Sequence, residues 1–306
     1  MSVVVVAPGQ GSQTPGFLAP WLAEPRFAEH LGELSEAAKL DLAAHGTESD
    51  ADTIRDTAVA QPLIVAASLL AFRGVAESRR SALAGVAGHS VGEFAAAAAA
   101  GILTETDAMT LVRERGTAMA AAAERVATGM SAVIGGDADA LSARLGELGL
   151  SPANVNGGGQ VVVAGEVGAL AKLAEEPPAG ARVIPLQVAG AFHTRYMEPA
   201  VERLAAVADD VAPSNPELPI WTNKDGSIVR SGRSFLELLV GQVANPVRWD
   251  LCMEGFLEAG VTGLIELAPA GALVGLAKRG MKGIPTVAVK TPDDLAAAHE
   301  LIDGAE

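Results

Sequence analysis

Apolar residues along this chain fall into two rhythms. Short β-branched runs, Val3 to Val6, Leu83 to Ala87, Ile220 to Thr222, Gly263 to Leu267 and Pro285 to Val289, are nearly continuous in apolar character, and stretches of helical length separate them. A strand covered by helices on both faces must read this way, whereas a strand with one wet face alternates. The runs predict an α/β domain with a largely parallel sheet.

Between them one segment keeps a different order: strand Met130 to Ile134, helix Asp137 to Leu148, strand Ala153 to Asn156, strand Gln160 to Ala164, helix Val167 to Ala174, strand Arg182 to Val188. That order is βαββαβ, the ferredoxin-like unit. An alanine-rich helix end (Ala118 to Ala123) precedes it and "VAGAFHTRYMEPA" follows it. The pattern predicts a ferredoxin-like small domain, residues 124–197, inserted into an α/β-hydrolase-like large domain made of residues 1–123 and 198–306. A cleft between the two is the expected site.

Composition narrows the function. With 49% hydrophobic and 19% charged residues the chain reads as an ordinary globular protein. The net charge of −15 argues against nucleic acid or an anionic membrane as partner, so an acidic partner must dock on a local basic patch. The longest uninterrupted apolar run, Phe94 to Leu103, is about half of the roughly 20 residues a bilayer needs. The valine run at the N-terminus stops at Pro8 with no basic residue before it, unlike a signal peptide, and the expectation is a cytoplasmic protein. The single cysteine, Cys252, excludes an internal disulfide and reads as an inert, half-buried thiol. One cysteine and five scattered histidines offer no metal-ligand spacing, so neither a metal nor a bound cofactor is expected.

The turn after the first strand, "VVVVAPGQGSQTPG", suggests a dinucleotide fingerprint through Gly9 and Gly11. It fails where Thr14 stands in place of the third glycine, and no acid-ended strand follows at the required distance. A stronger pattern is Gly88-His89-Ser90-Val91-Gly92, a G-x-S-x-G between a strand and a helix, the context of a nucleophile elbow. There the Ser90 hydroxyl projects at the edge of the sheet, and the helix N-terminus, including the Val91 amide, faces a developing oxyanion. The plainer reading is a glycine-tight turn.

A nucleophilic serine needs a base. His89 adjoins Ser90 and should point away from its proton, and His30 and His45 stand in polar surroundings that read as solvated. Two candidates remain. His299, late in the chain as in a hydrolase triad, sits on an acidic terminal helix with no strand end to present it and reads as a surface residue. His193, at the junction of the insert, implies a dyad at the cleft and is favoured.

Seven segments in order, "PGQGSQ", "AQPLI", "GHSVGE", "RERG", "NVNGGGQVVVAG", "AFH" and "QVANPVRW", resemble the malonyl-CoA:acyl carrier protein transacylases of fatty acid synthesis and the acyltransferase domains of polyketide synthases, across essentially the whole chain. The resemblance implies a malonyl transfer in which Ser90 is the acylated nucleophile and His193 its base, oriented by the backbone carbonyl of Gln242. It implies oxyanion donation from the amides of Gln10 and Val91, and pairing of the malonyl carboxylate with Arg115. Arg113 keeps the reading of a solvated helix residue; Asn156 either lines the acyl pocket or caps a turn. Phe192, in "GAFH", would crowd an α-methyl group and favour malonyl.

The implied partners are malonyl-CoA and holo-acyl carrier protein, with CoA entering only as part of the substrate and the chain acting as a monomer. Lys278, Arg279, Lys282 and Arg195 are candidates for carrier docking. One departure is Ala268-Pro269-Ala270 where the family commonly has Gly-Pro-Gly, which opens the geometry of that loop to question. Two rival readings are a serine esterase using His299 and a catalytically silent carrier-binding module.

Overall fold

The computed structural model describes residues 2–304. Its strands are β1 (Val3–Ala7), β2 (Leu83–Gly88), β3 (Thr128–Gly135), β4 (Ser151–Gly157), β5 (Gln160–Glu166), β6 (Ala181–Pro185), β7 (Ile220–Trp221), β8 (Ile228–Val229), β9 (Val247–Arg248), β10 (Gly263–Glu266) and β11 (Thr286–Ala288).

The larger sheet has the order β11-β10-β1-β2-β7-β8. All its pairings are parallel except the short hairpin of β7 with β8. Every residue of β1 is buried, as a central strand with helices on both faces requires. The five apolar runs become the five parallel strands, and only β8, two residues long, escaped the periodicity. Strands β1 and β2 end side by side, Ala7 opposite Gly88, so the turns that follow them emerge at one edge of the sheet.

Helix Thr57–Ala76 is long and apolar enough to cross a membrane by length and composition alone, a property that counting uninterrupted apolar runs overlooks. Within the described residues it is a core helix, with 83% of its most apolar window buried, and it packs on helix Glu105–Ala123.

The second sheet has the order β6-β3-β5-β4-β9. Its first four strands pair antiparallel in the ferredoxin-like arrangement, with helices Ala138–Leu148 and Val167–Glu175 between them. On the helix side Val133, Val163, Leu141, Leu145 and Leu173 close a core of their own. The fifth strand, β9, comes from outside the 124–197 interval and pairs parallel with β4. The last strand of the unit stops at Pro185, short of the expected Val188; Leu186 still donates to the Met130 carbonyl at 3.0 Å before the chain leaves the sheet.

Two histidines differ from the sequence reading. His30 is buried, because Phe27, His30, Leu31 and Leu34 share the inner face of helix Pro25–Ala38, and its Nε2 lies 2.6 Å from Glu105 Oε2. His299 is half-buried, its Nε2 2.9 Å from the Gly74 carbonyl, where the C-terminal helix Leu295–Asp303 docks on the long core helix. Flanking polarity misled in both cases; helical spacing decides which face a residue occupies. Cys252 is fully rather than half buried, its thiol pushed well above the ordinary range by burial and donating to the Thr222 carbonyl at 3.3 Å.

Candidate active site

A cavity of about 520 Å³ is lined by the turn after β1, the turn after β2, the inner face of the small sheet and helix Ala272–Gly280. Gln10, Ser90, Val91, Asn156, Phe192 and His193 all line it.

The Ser90 turn is built by close approach. A Cβ on Gly88 would lie 2.0 Å from the Gly92 carbonyl carbon, and one on Gly92 would lie 2.2 Å from the Ala7 carbonyl oxygen, so neither position admits a side chain. His89 N donates to that Ala7 oxygen at 2.9 Å, tying the elbow to β1. Ser90 has φ +53°, a left-handed conformation that costs a non-glycine residue roughly 1–2 kcal/mol and that the surrounding bonds must hold. One of them is from Ser90 N to Asn223 Oδ1, 2.7 Å.

The Ser90 hydroxyl lies 2.7 Å from His193 Nε2, and His193 Nδ1 lies 2.9 Å from the Gln242 carbonyl oxygen. A carbonyl can only accept, so Nδ1 carries the proton and Nε2 is left to accept from the serine. Burial, followed by the neighbouring Arg115 cation, depresses the His193 pKa to about 3, which keeps the ring neutral and available as a base. The other histidine beside the serine faces elsewhere, as expected. His89 Nε2 bonds Asn156 Oδ1 at 2.9 Å, and its ring meets Trp249 edge-on at 5.6 Å between centroids.

Arg115 is fully buried. Its Nη1 donates to Gln61 Oε1 at 2.7 Å, and Nη2 to Gln242 Oε1 at 2.9 Å and to Ser90 Oγ at 3.3 Å. Burial lowers its pKa to about 10, so the guanidinium stays charged at neutral pH. Its Nε has no partner, and among the described residues no carboxylate forms a salt bridge with it. Two amide oxygens thus aim a desolvated cation at the nucleophile, an arrangement suited to receiving a carboxylate. Arg113, read as a solvated residue, is half-buried and paired with Glu114 at 2.8 Å.

Asn156 lies within β4, not in a turn, which removes the capping alternative. Its amide is shared between His89 and Gln160, the latter at 3.0 Å. Gln10 occupies the turn after β1 and is anchored by its side chain, Nε2 to the Arg55 carbonyl at 3.3 Å. At the loop that departs from the family pattern, Ala270 has φ +55° and Gly271 φ +122°. Arg279 lines the cavity, while Lys278 and Lys282 are exposed near it in the chain.

Three site residues escaped sequence reasoning. Gln61 lies inside the quoted "AQPLI", but nothing local marks it as a partner of Arg115. Asn223 follows β7 and reads as a turn residue; its Nδ2 donates to the Gly88 carbonyl at 2.7 Å. Glu93 is the lone charge in the apolar helix Gly92–Ala99, which was the available signal. It is fully buried and accepts from Asn223 N at 2.7 Å and from Gln242 Nε2. Burial, the largest influence, raises its pKa to about 8.

Comparison with known proteins places the chain among acyl transferases. A family model described as an acyl transferase domain matches residues 4–294. The malonyl CoA-acyl carrier protein transacylase of Mycobacterium tuberculosis is 51% identical over 297 residues, covering 96% of this chain and 98% of that protein. The protein of that name from Escherichia coli is 35% identical over 303 residues, covering 97% and 98%. Among solved structures, MCAT from Mycobacterium tuberculosis superposes with a TM-score of 0.94 at 49% identity, covering 98% of this chain and 100% of that one. A malonyl-transacylase in complex with its holo type II polyketide acyl carrier protein superposes with a TM-score of 0.93 at 33% identity, with the same coverage.

Proposed function

The chain belongs to the acyl transferase family, and from that membership together with the geometry around Ser90 we infer that it transfers the malonyl group of malonyl-CoA to the phosphopantetheine thiol of acyl carrier protein. The observation that carries the malonyl assignment is Arg115, a buried cation 3.3 Å from the Ser90 hydroxyl that forms no salt bridge with any carboxylate among the described residues. An acyl group that ends in a carboxylate supplies the missing charge. A neutral acyl group leaves the cation unpaired in the desolvated pocket, so the same residue discriminates as well as binds.

The proposed reaction has two halves. Ser90 gives its proton to His193 Nε2 as its oxygen attacks the thioester carbonyl, and the tetrahedral oxyanion accepts from the amides of Gln10 and Val91. Collapse expels the CoA sulfur, which takes the proton back from His193, and leaves a malonyl ester on Ser90. The carrier's thiol then enters the same cavity, loses its proton to His193 and attacks the ester; collapse breaks the Ser90 Oγ–acyl bond, Ser90 takes the proton back from His193, and the malonyl group leaves on the carrier's sulfur. Throughout, the Nδ1–H bond to Gln242 holds the ring in the one tautomer that can do this. The malonyl carboxylate also offsets the charge on Arg115 that depresses His193, so a bound substrate makes the base stronger when it is needed.

All groups in this scheme come from one chain, and we propose that a monomer is the working unit. The acidic balance of the chain weighs against nucleic acid or an anionic membrane surface as partners. Carriers of fatty acid and polyketide synthesis present the same phosphopantetheine arm, so the chemistry at Ser90 serves either.

The test is intact mass spectrometry after mixing with malonyl-, methylmalonyl- and acetyl-CoA in turn. A malonyl adduct should form fastest, and on Ser90. No adduct with any of the three would overturn the enzymatic reading. Acylation lost in His299→Ala but kept in His193→Ala would restore the esterase assignment.

A further inference from the structure

Gln242 joins two buried ionisable groups, Arg115 and Glu93, that form no salt bridge with each other. Its side-chain oxygen accepts from Arg115 Nη2 at 2.9 Å, and its side-chain nitrogen donates to Glu93 Oε2 and to the Ser90 carbonyl at 3.1 Å. The two ends of a primary amide are nearly the same size, so packing alone does not tell them apart; hydrogen bonding does. Turned over, the amide would aim its NH2 at a guanidinium that can only donate, and Arg115 would keep Gln61 as its one amide partner.

Glu93 does not reach the cavity that holds Ser90. It lines a second cavity of about 460 Å³, which also reaches Gln242, opens between Lys224, Glu237 and Arg248, and shares no lining residue with the first. Glu93 is therefore linked to the acyl site through two bonded neighbours, Gln242 and Asn223; a substitution that keeps an acceptor for the Asn223 amide leaves Gln242 as the link that changes.

We propose that Glu93 is a positioning residue that fixes the orientation of the Gln242 amide, and through it the aim of Arg115, so that it governs selection of carboxyl-bearing acyl groups rather than the Ser90–His193 chemistry. Two donors converge on its carboxyl, the Asn223 amide and the Gln242 NH2. A carboxyl group has an oxygen for each, and when protonated it keeps acceptor lone pairs on both oxygens while its O–H is free to turn to Thr222. An amide at this position has one acceptor oxygen for two donors, so satisfying Asn223 sets NH2 against NH2 and turns Gln242 over. The bond from Gln242's backbone carbonyl to His193 is independent of that rotation.

The inference rests on the malonyl reading above, and the experiment separates the two. Acylation rates of wild type, Glu93→Gln and Glu93→Asp are measured with malonyl-CoA and with p-nitrophenyl acetate, an ester that carries no carboxylate. Glu93→Gln should lower kcat/KM for malonyl-CoA by about ten- to a hundredfold, the range for a hydrogen bond to a charged group, while the rate with the uncharged ester changes less than about threefold. Glu93→Asp, which keeps both acceptors on a shorter arm, should fall between. Equal losses on both substrates, or no loss on either, would overturn the role of Glu93. If Glu93→Gln proves unfolded by circular dichroism, the Glu93→Asp ratio of the two rates decides in the same way. Failure of the wild type to take malonyl at all would instead sink the malonyl reading itself.

Discussion

The Arg115 guanidinium donates to the Ser90 hydroxyl across 3.3 Å, so the residue that reads the acyl group also touches the residue that carries it. Binding and chemistry share one hydrogen-bonded group, and substitutions around it should separate them.

Arg115→Ala should cut acylation by malonyl-CoA by roughly a hundredfold or more, since it removes charge-assisted bonds in a desolvated pocket, while acylation by acetyl-CoA holds or rises. Rates of adduct formation measured by intact mass report both. Parallel losses on the two substrates would assign Arg115 to folding instead.

Gln10→Pro deletes the backbone N–H of that residue in the turn after β1. If that amide receives the oxyanion, acylation of Ser90 should slow by about a hundredfold, the usual cost of one such donor. The reference variant is Gln10→Ala, which keeps the amide and removes only the side-chain anchor to Arg55; it should retain most of the rate. Acylation of Gln10→Pro at the wild-type rate would remove the role.

Stability should pass through a plateau in pH. His193 is depressed from 6.5 to about 3, so its favourable contribution is complete above pH 6.5 and is lost as pH falls toward 3. Glu93 is raised from 4.5 to about 8, so its contribution is complete below pH 4.5 and is lost as pH rises toward 8. Between pH 4.5 and 6.5 the two slopes, each at most about 1.4 kcal/mol per pH unit, oppose one another. Urea unfolding at fixed pH should show decline on both sides of that window, and the alkaline decline should shrink in Glu93→Gln. An unchanged alkaline limb in that variant would contradict the assignment.

Lys39→Gly should stabilise the fold by about 1 kcal/mol. Lys39 is exposed and has φ +50° just past helix Pro25–Ala38, where Leu40 N closes on the Ser35 carbonyl at 3.2 Å. That is the left-handed helix ending at which glycine is most at ease. Calorimetry should register a rise of roughly 1–2 °C; a fall would mean that the lysine side chain contributes more than its backbone costs.

Reversing charge at Lys278 and Arg279 should raise KM for the carrier protein several-fold and leave acylation by malonyl-CoA less affected, because both side chains are exposed on helix Ala272–Gly280 at the cavity's edge. Unchanged carrier kinetics would move the docking surface elsewhere.

What the sequence made legible was whatever is local. The strand, the two glycines and the helix of the Ser90 elbow are consecutive between Leu83 and Ala99, so pattern alone identifies them. The ferredoxin-like order is likewise a property of consecutive segments. Glu93, Asn223 and Gln61 were not legible, since each acts through a partner far along the chain: Asn223 meets Glu93 across 130 positions. His30 and His299 do not follow their flanking polarity, because on a helix the neighbours in sequence are not the neighbours in space. Strand β9, at two residues, is too short to have a period at all.

That same short strand sets a limit on modularity. The small sheet looks like a self-contained cassette, with its own core and a continuous run of sequence, yet β9 is sewn to its edge by the chain that also supplies Gln242 and Trp249. Grafting residues 124–197 from a relative would therefore transplant a sheet without its selvedge. A recombinant boundary that respects the fabric must carry the 242–249 segment along with the insert, even though residues 198–241 lie between them.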